Sequence, residues 1–322
     1  MSRGDEDARP AQGESRLWGH LPSGLAGCGQ AFDAARHPAD RVPMIFRGSE
    51  AVAAGHLTHA QLRGPLVTNL FRDVYADGRI AVTHPVRCRG ATLVLPPDAV
   101  ITGRSAATIR GCELARAHDP VEVVAPLRRR ITWSEGIRLR RTELAREESE
   151  PWHSGRIASP LRMALDLMLA RPLPDAVADL DAVLRAGLVE RTALTALVGA
   201  RSDRGIVTAR RVVELADARA ESRPESKVRV WLELAGLHPV PQYWIEDRSG
   251  RLARVDLAFP ERKVAVEYDG EWRDGQLWAL NHDRERLNRV HAAGWDVVFV
   301  TQPLLANPRK MIYTVEAALR AA

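Results

Sequence analysis

Apolar and polar residues alternate along LARVDLAFPERKVAVEYD, residues 252–269, and the alternation breaks once, at Pro260-Glu261-Arg262-Lys263. Period-two runs on both sides of such a break predict a β-hairpin. A two-residue loop at Glu261–Arg262 sets Pro260 against Lys263, and counting back along both arms places Asp256 opposite Glu267. Opposed residues share a face, with Cβ atoms about 4.5–5.5 Å apart. Asp269, two residues beyond Glu267, points to that same face. Two carboxylates roughly 5 Å apart repel by about 3 kcal/mol at an effective dielectric near 20. A bound cation, a buried Arg or Lys, or a carboxyl that stays protonated must offset this. The hairpin asks for positive charge.

The flanking pattern supplies the rest of a unit over residues 221–322. Ser222-Arg223-Pro224-Glu225 is a helix start, and Gly236 ends that helix. YWIED then reads as a strand, Leu277 to Ala293 as a helix stopped by Gly294, and WDVVFVT as a last strand. The order is αβββαβ. Upstream, apolar residues recur at helical spacing from SPLRMALDLMLA (159–170) to Ala220, which predicts several packed helices. Asp166 on the first of them reads as a surface acid or a cap partner. Before these, ATLVL and VEVVAP read as strands, RSAATIRG as a short helix, and residues 126–141 as a basic hairpin around Ser134-Glu135-Gly136. Residues 41–82 outline a winged helix-turn-helix: a helix capped by Ser49 and ended by Gly55, a second capped by Thr58 and broken at Gly64-Pro65, and FRDVY as a wing strand. Residues 1–40 are rich in Gly, Pro and charge, without periodicity, and are expected to be disordered. The fold class is therefore multidomain α+β and α/β: a winged-helix-like segment, a mixed α/β then helical middle region over 83–220, and the αβββαβ domain.

Composition narrows the picture. A chain of 322 residues, 45% hydrophobic and 27% charged, can bury two or three modest cores. No stretch reaches membrane-span length, and MSRGDEDARPAQGESR has no apolar segment of a secretory signal, so a cytoplasmic protein is expected. The three cysteines, Cys28, Cys88 and Cys112, match no zinc or redox spacing. Net charge is +5, yet only Lys227, Lys263 and Lys310 are lysines, an arginine bias that reads as codon usage. The local excess matters more. Arg128, Arg129, Arg130, Arg138, Arg140 and Arg141 form either a solvated hairpin or a phosphate-contacting one. Trp231, Trp244 and Trp295 sit in apolar runs and read as core, whereas Trp272, on polar ground beside the acids, is a candidate to stack on a base.

PESKVRVWLELAGL, RVDLAFPERKVAVEYDGEW and DRERLNRVHAAGWDVVFVT resemble the PD-(D/E)XK nuclease superfamily, and within it the uncharacterised family related to very-short-patch-repair endonucleases. Residues 43–220 are similar to actinobacterial proteins with an AbiEi-type antitoxin N-terminal region, through SEAVAAGHLTHAQL, FRDVY, TGRSAATIRG and SPLRMALD. The first resemblance implies a restriction-endonuclease-like domain in which Asp256 and Glu267 ligate Mg²⁺ (or Mn²⁺) and Glu225 orients the attacking water or completes the shell. Hard oxygen ligands of this kind suit Mg²⁺. Two positions depart from the family pattern. Asp269 stands where a Lys is wanted, and could instead hold a second ion; Arg273 stands near where relatives place a His. Arg273 can stabilise phosphate charge but cannot serve as a base. His282, Arg286 and Arg229 are other candidates for the missing cation, while Lys263 lies roughly 13 Å from Glu267 along the strand. The resemblance implies an Mg²⁺-dependent endonuclease acting on double-stranded DNA. Its alternative is a non-catalytic AbiEi-type antitoxin or transcriptional regulator with a degenerate nuclease fold, partnered by a cognate toxin or a second copy of the chain. In that case the acids simply neutralise arginines such as Arg229 or Arg254.

Overall fold

The computed structural model describes residues 43–127, 135–247, 250–270 and 277–322, with the side chains of the last stretch described from Arg284 onward. Arg128, Arg129, Arg130, Trp272 and Arg273 lie outside the described residues, as do residues 1–40 and the side chain of His282. The described residues form three sheets with helices between and around them.

The first sheet holds β1 (Ile45–Arg47), β2 (Val67–Phe71) and β3 (Val74–Asp77) in the antiparallel order β1-β3-β2, with α1 (Gly48–Ala53) beside it. The two helices expected here are reduced. Arg47, not Ser49, occupies the N-cap of α1, and the Ser49 hydroxyl donates to Asp73 Oδ2 at 2.6 Å. Thr58 and Gln61 do cap one another, Gln61 N donating to Thr58 Oγ1 at 3.2 Å and Thr58 N to Gln61 Oε1 at 2.8 Å. Gly64-Pro65 then stops the chain after a single 3₁₀ turn, Gln61–Arg63. Between Thr58 and residue 82 there is no helix of groove-filling length.

The second sheet runs β6-β5-β4-β8-β7, from β4 (Val100–Ile101), β5 (Val121–Ala125), β6 (Ile137–Arg141), β7 (Ser149–Trp152) and β8 (Gly155–Ala158). ATLVL is not a strand. It ends α2 (His84–Val94), whose start is capped by Thr83 with a Pro in the first turn, and whose buried residues His84, Cys88 and Ala91 keep helical spacing. After β4 comes α3 (Gly103–Ile109). β6 lies parallel to β5 at the edge of the described sheet, and the other arm of the expected basic hairpin, residues 128–134, lies outside the described residues. Helices α4 (Pro160–Leu169), α5 (Leu173–Arg185), α6 (Arg191–Ala200) and α7 (Ile206–Leu215) pack as the apolar spacing predicts, around Met163, Leu167, Leu180, Leu194 and Val212. Asp166, read as a surface acid, is only 2% exposed. It accepts from Thr102 Oγ1 at 2.6 Å and Arg162 Nε at 3.1 Å, and also pairs with Arg140.

The third sheet carries the C-terminal pattern. Its elements are α8 (Arg223–Leu234), β9 (Val240–Asp247), β10 (Gly250–Phe259), β11 (Val264–Asp269), α9 (Leu277–Ala292), β12 (Asp296–Thr301), a short α10 (Gln302–Leu305) and α11 (Pro308–Ala321). The strand order is β12-β11-β10-β9, antiparallel except for the β11–β12 pair, which α9 connects. Val228 and Leu232 of α8 and Met311 and Val315 of α11 pack on Leu257, Val264, Val266, Val298 and Val300. Val290 of α9 packs with Ile245, Val255, Ala265 and Trp295. The closing helix α11 was not foreseen in the αβββαβ reading. Trp244 is also not core: it is 40% exposed, with the Arg251 guanidinium stacked 5.1 Å from its ring centre. No helix among the described residues is long and apolar enough to cross a membrane.

A buried ion pair joins this sheet's first helix to the helical layer. Arg229 of α8 donates from Nη2 to Asp181 Oδ2 of α5 at 2.8 Å and from Nη1 to the Leu215 carbonyl at 2.8 Å. Both side chains are almost fully enclosed. Removing one member of such a pair strands the other charge, at a cost of about 3–5 kcal/mol. Arg229→Ala should lower the unfolding free energy by about that much in a urea titration. An unchanged midpoint would show that this pair does not hold α8 to α5.

Candidate functional site

The β10–β11 ladder pairs Leu257 with Val266, Ala258 with Ala265 and Phe259 with Val264. Continuing that register by one residue sets Asp256 opposite Glu267. The loop differs from the expected one: Pro260–Arg262 form a 3₁₀ turn and Lys263 takes a left-handed conformation at φ 48°. The register survives because the turn still consumes the same four residues. At Asp256 the backbone ladder gives way to a side chain, and the Tyr268 amide donates to Asp256 Oδ2 at 2.9 Å. On the other side, Val255 pairs with Tyr243 and Leu257 with Pro241, which puts Gln242 beside Asp256. Gln242 has φ 54°, an uncommon conformation for a residue with a side chain, costing about 1–3 kcal/mol. Its Nε2 donates to Glu225 Oε2 at 3.0 Å. Ser222 caps α8 by accepting from Glu225 N at 3.3 Å, so Glu225 lies in the first turn.

The positive charge that the hairpin requires comes from α9. Arg286 grips Glu267 with both nitrogens, Nη1 to Oε1 at 2.8 Å and Nη2 to Oε2 at 2.9 Å. The pair is largely enclosed, with Glu267 11% and Arg286 23% exposed. Neither Arg229 nor Arg254 does this work: Arg229 serves Asp181, and Arg254 pairs with Glu221 at 2.6 Å. Lys263 donates to the Ala293 carbonyl, away from the acids. Arg286 was one candidate among several; the alternating charge of DRERLNR hid which arginine of α9 turns inward. Glu221 and Gln242 were missed altogether, because only the fold brings them to Glu225.

One arginine does not balance the group. Burial pushes the Asp256 carboxyl up to about 7, and the negative charges of Glu225, Glu267 and Glu221 add to the rise, against the Tyr268 amide. Asp269 continues β11 two residues beyond Glu267 and pairs in register with Thr301. Among the described residues no three His, Cys, Asp or Glu side chains gather as a metal-ligand group. The donor set nevertheless fits a hydrated Mg²⁺, which takes one or two carboxylates and completes its octahedron with water and substrate phosphate. Asp256 and Glu267 would hold it, and a divalent charge would offset the negative field that Glu225, Glu267 and Glu221 add to burial at Asp256. Three arginines of the basic stretch lie among the described residues. Arg138 and Arg140 turn to the enclosed acids Glu122 and Asp166, while Arg141 is exposed.

No family model matches the chain. It is 38% identical over 150 residues to two uncharacterised proteins of Mycobacterium tuberculosis, MT2308 of strain CDC 1551 and Rv2248 of strain H37Rv. The match covers 45% of this chain and 55% of each relative, so the chain spans about half the length of the curated relatives it matches. Among solved structures, it is similar to the RV2827C protein of Mycobacterium tuberculosis, at 15% identity and a TM-score of 0.38, over 55% of this chain and 73% of the other.

An acid whose folded pKa is raised contributes stability that is complete below its ordinary value and is lost as pH climbs through the raised one. For Asp256 that window runs from the ordinary carboxylate value to about 7. Asp256→Asn keeps an acceptor for the Tyr268 amide and removes the charge. In metal-free buffer the variant should melt above the parent at pH ~8, with the gap narrowing as pH falls and closing near pH ~4. Equal melting temperatures at both pH values would show that Asp256 carries no such strain.

Proposed function

We propose that residues 221–322 form a PD-(D/E)XK-like domain that hydrolyses DNA phosphodiester bonds with Mg²⁺ or Mn²⁺, and that the upstream region supplies binding or regulation. The observation that carries this reading is the juxtaposition of Asp256 and Glu267 across β10 and β11, with Glu225 acting on Asp256. Bound there, the ion would polarise the scissile phosphate and lower the pKa of a coordinated water. Asp256 and Glu267 would hold and orient it. Glu225, fixed by Gln242 and the Glu221 amide, positions the attacking water. Arg286 supplies the cation that position 269 lacks. Its planar guanidinium fork is of the kind that suits phosphate oxygens, and it would lie beside any phosphate held at these acids. Hydrolysis makes one bond from water oxygen to phosphorus and breaks one phosphorus–oxygen ester bond, the water's proton ending on the leaving oxygen.

A second reading is favoured by one contact. Arg286 already saturates both oxygens of Glu267, and an acid stands at 269. On that reading the domain is a degenerate nuclease fold in a non-catalytic, AbiEi-type antitoxin or transcriptional regulator, with a toxin or a second copy as partner.

Plasmid nicking with Mg²⁺ or Mn²⁺ separates the two. The nuclease reading predicts nicking that Asp256→Ala and Glu267→Ala each abolish, and that Arg286→Gln reduces by about 10²-fold or more, the range seen when one charge-stabilising donor is removed. Nicking that persists in both alanine variants belongs to a contaminant and ends that reading. Absent nicking together with salt-sensitive DNA binding establishes the regulator.

A further inference from the structure

The middle region contains a second charge imbalance, of opposite sign to the first. Asp179 of α5 is fully buried and receives three arginines: Arg104 at 2.6 Å and 3.0 Å, Arg223 at 2.8 Å, and Arg171 at 3.4 Å. Glu122 of β5, also buried, pairs with Arg171 and with Arg138. The chain Arg138–Glu122–Arg171–Asp179–Arg104/Arg223 thus joins four guanidiniums through two carboxylates. Arginine does not lose its proton in proteins, so the excess cannot be relieved by titration. Two like charges about 4 Å apart repel by about 4 kcal/mol at an effective dielectric near 20.

The arginines are held rather than loose. Gly103 has φ 56°, and a side chain there would collide with Glu122 Oε2, so the TGRS turn lets the Glu122 carboxylate reach the Arg104 amide at 2.8 Å. Ser105 Oγ accepts from the Glu122 amide at 2.9 Å, which fixes the same strand from the other side. Arg171 is 8% exposed, and its buried Nη1 has no hydrogen-bond partner. A buried guanidinium nitrogen without an acceptor is a donor waiting for one. Arg138, 60% exposed, and Arg223, one-third exposed, open the cluster to solvent.

We infer that this cluster binds a phosphomonoester dianion. Two surplus positive charges match the −1.5 to −2 charge such a group carries near neutral pH, and arginine forks match its oxygens. A monocarboxylate would leave the cluster charged. The site lies outside the acids of the proposed nuclease centre and does not depend on their activity. Its ligand is either a free nucleotide or the 5′-phosphate end of a nucleic acid.

Isothermal titration of the full chain, without divalent metal and at fixed ionic strength, tests this with inorganic phosphate, adenosine monophosphate, and a 5′-phosphorylated oligonucleotide beside its 5′-hydroxyl twin. The inference predicts saturable phosphate binding, weakened about tenfold by Arg138→Gln, the loss of one charged hydrogen bond. Arg138 is exposed enough for that variant to fold, and Arg171→Lys, which keeps charge but loses the fork, should weaken binding by a similar factor with unchanged circular dichroism. Tighter binding of the nucleotide, or of the phosphorylated oligonucleotide over its twin, names the source. Absence of saturable phosphate binding, or equal affinity in the Arg138 variant, overturns the inference.

Discussion

Asp256 and Glu267 are forced together by strand register, and most of what is particular about the C-terminal sheet follows from that one constraint. A β-ladder has a period of two, so neither acid can leave the shared face without displacing Leu257, Val264 and Val266 from the core. Hydrophobic burial thus fixes an electrostatic problem in place. The structure meets it twice over, with the Arg286 fork on Glu267 and the raised proton affinity of Asp256. A third, divalent solution is what the proposed activity would use. The unusual backbone at Gln242 belongs to the same arrangement, because it directs a side chain to Glu225 next to the crowded acids.

The middle region handles charge in the reverse sense. There buried carboxylates organise arginines: Asp166 gathers Arg162 and Arg140, Asp181 holds Arg229, and Asp179 draws Arg104, Arg171 and Arg223. Two of these pairings cross from α5 to α8, so the helical layer and the C-terminal sheet are tied by ion pairs as well as by apolar contact. Lone buried pairs contribute little net stability against hydrophobic replacements, but breaking one is costly. The network therefore acts more as a constraint on geometry than as a source of stability.

Legibility in the sequence followed the physics of each element. The C-terminal hairpin and the order α8 to β12 were readable because period-two and period-3.6 patterns are long there and are punctuated by Ser222, Gly236 and Gly294. Even the register was recoverable, since the core face admits only one. ATLVL misled because five apolar residues fit a strand as well as the end of a helix, and the decisive Thr83 and Pro85 lie outside the run. Asp166 misled because its one local partner, Arg162 at i−4, gives the pairing any solvated helix face shows, while its other partners come from β6 and from Thr102. Arg286 was visible only as one of several cations, and Gln242 and Glu221 not at all, because their roles exist only once the strands and α8 are assembled. The short 3₁₀ turn at Gln61–Arg63 was half legible: the Thr58 cap and the Gly64-Pro65 stop were both there, and together they leave room for one turn.

The claim on which this account turns is that the opposed acids are built to accept a divalent ion. Calorimetric titration of Mn²⁺ into the metal-free protein tests it most directly, since it needs neither substrate nor turnover. A saturable site is expected that takes up Mn²⁺ more tightly as pH rises past about 7, where Asp256 gives up its proton, and that is lost in the Asp256→Asn protein. No saturable heat in the parent protein, or a site undiminished by that substitution, would contradict it and leave the Arg286 fork on Glu267 and the Tyr268 amide on Asp256 as the contacts that offset the opposed acids.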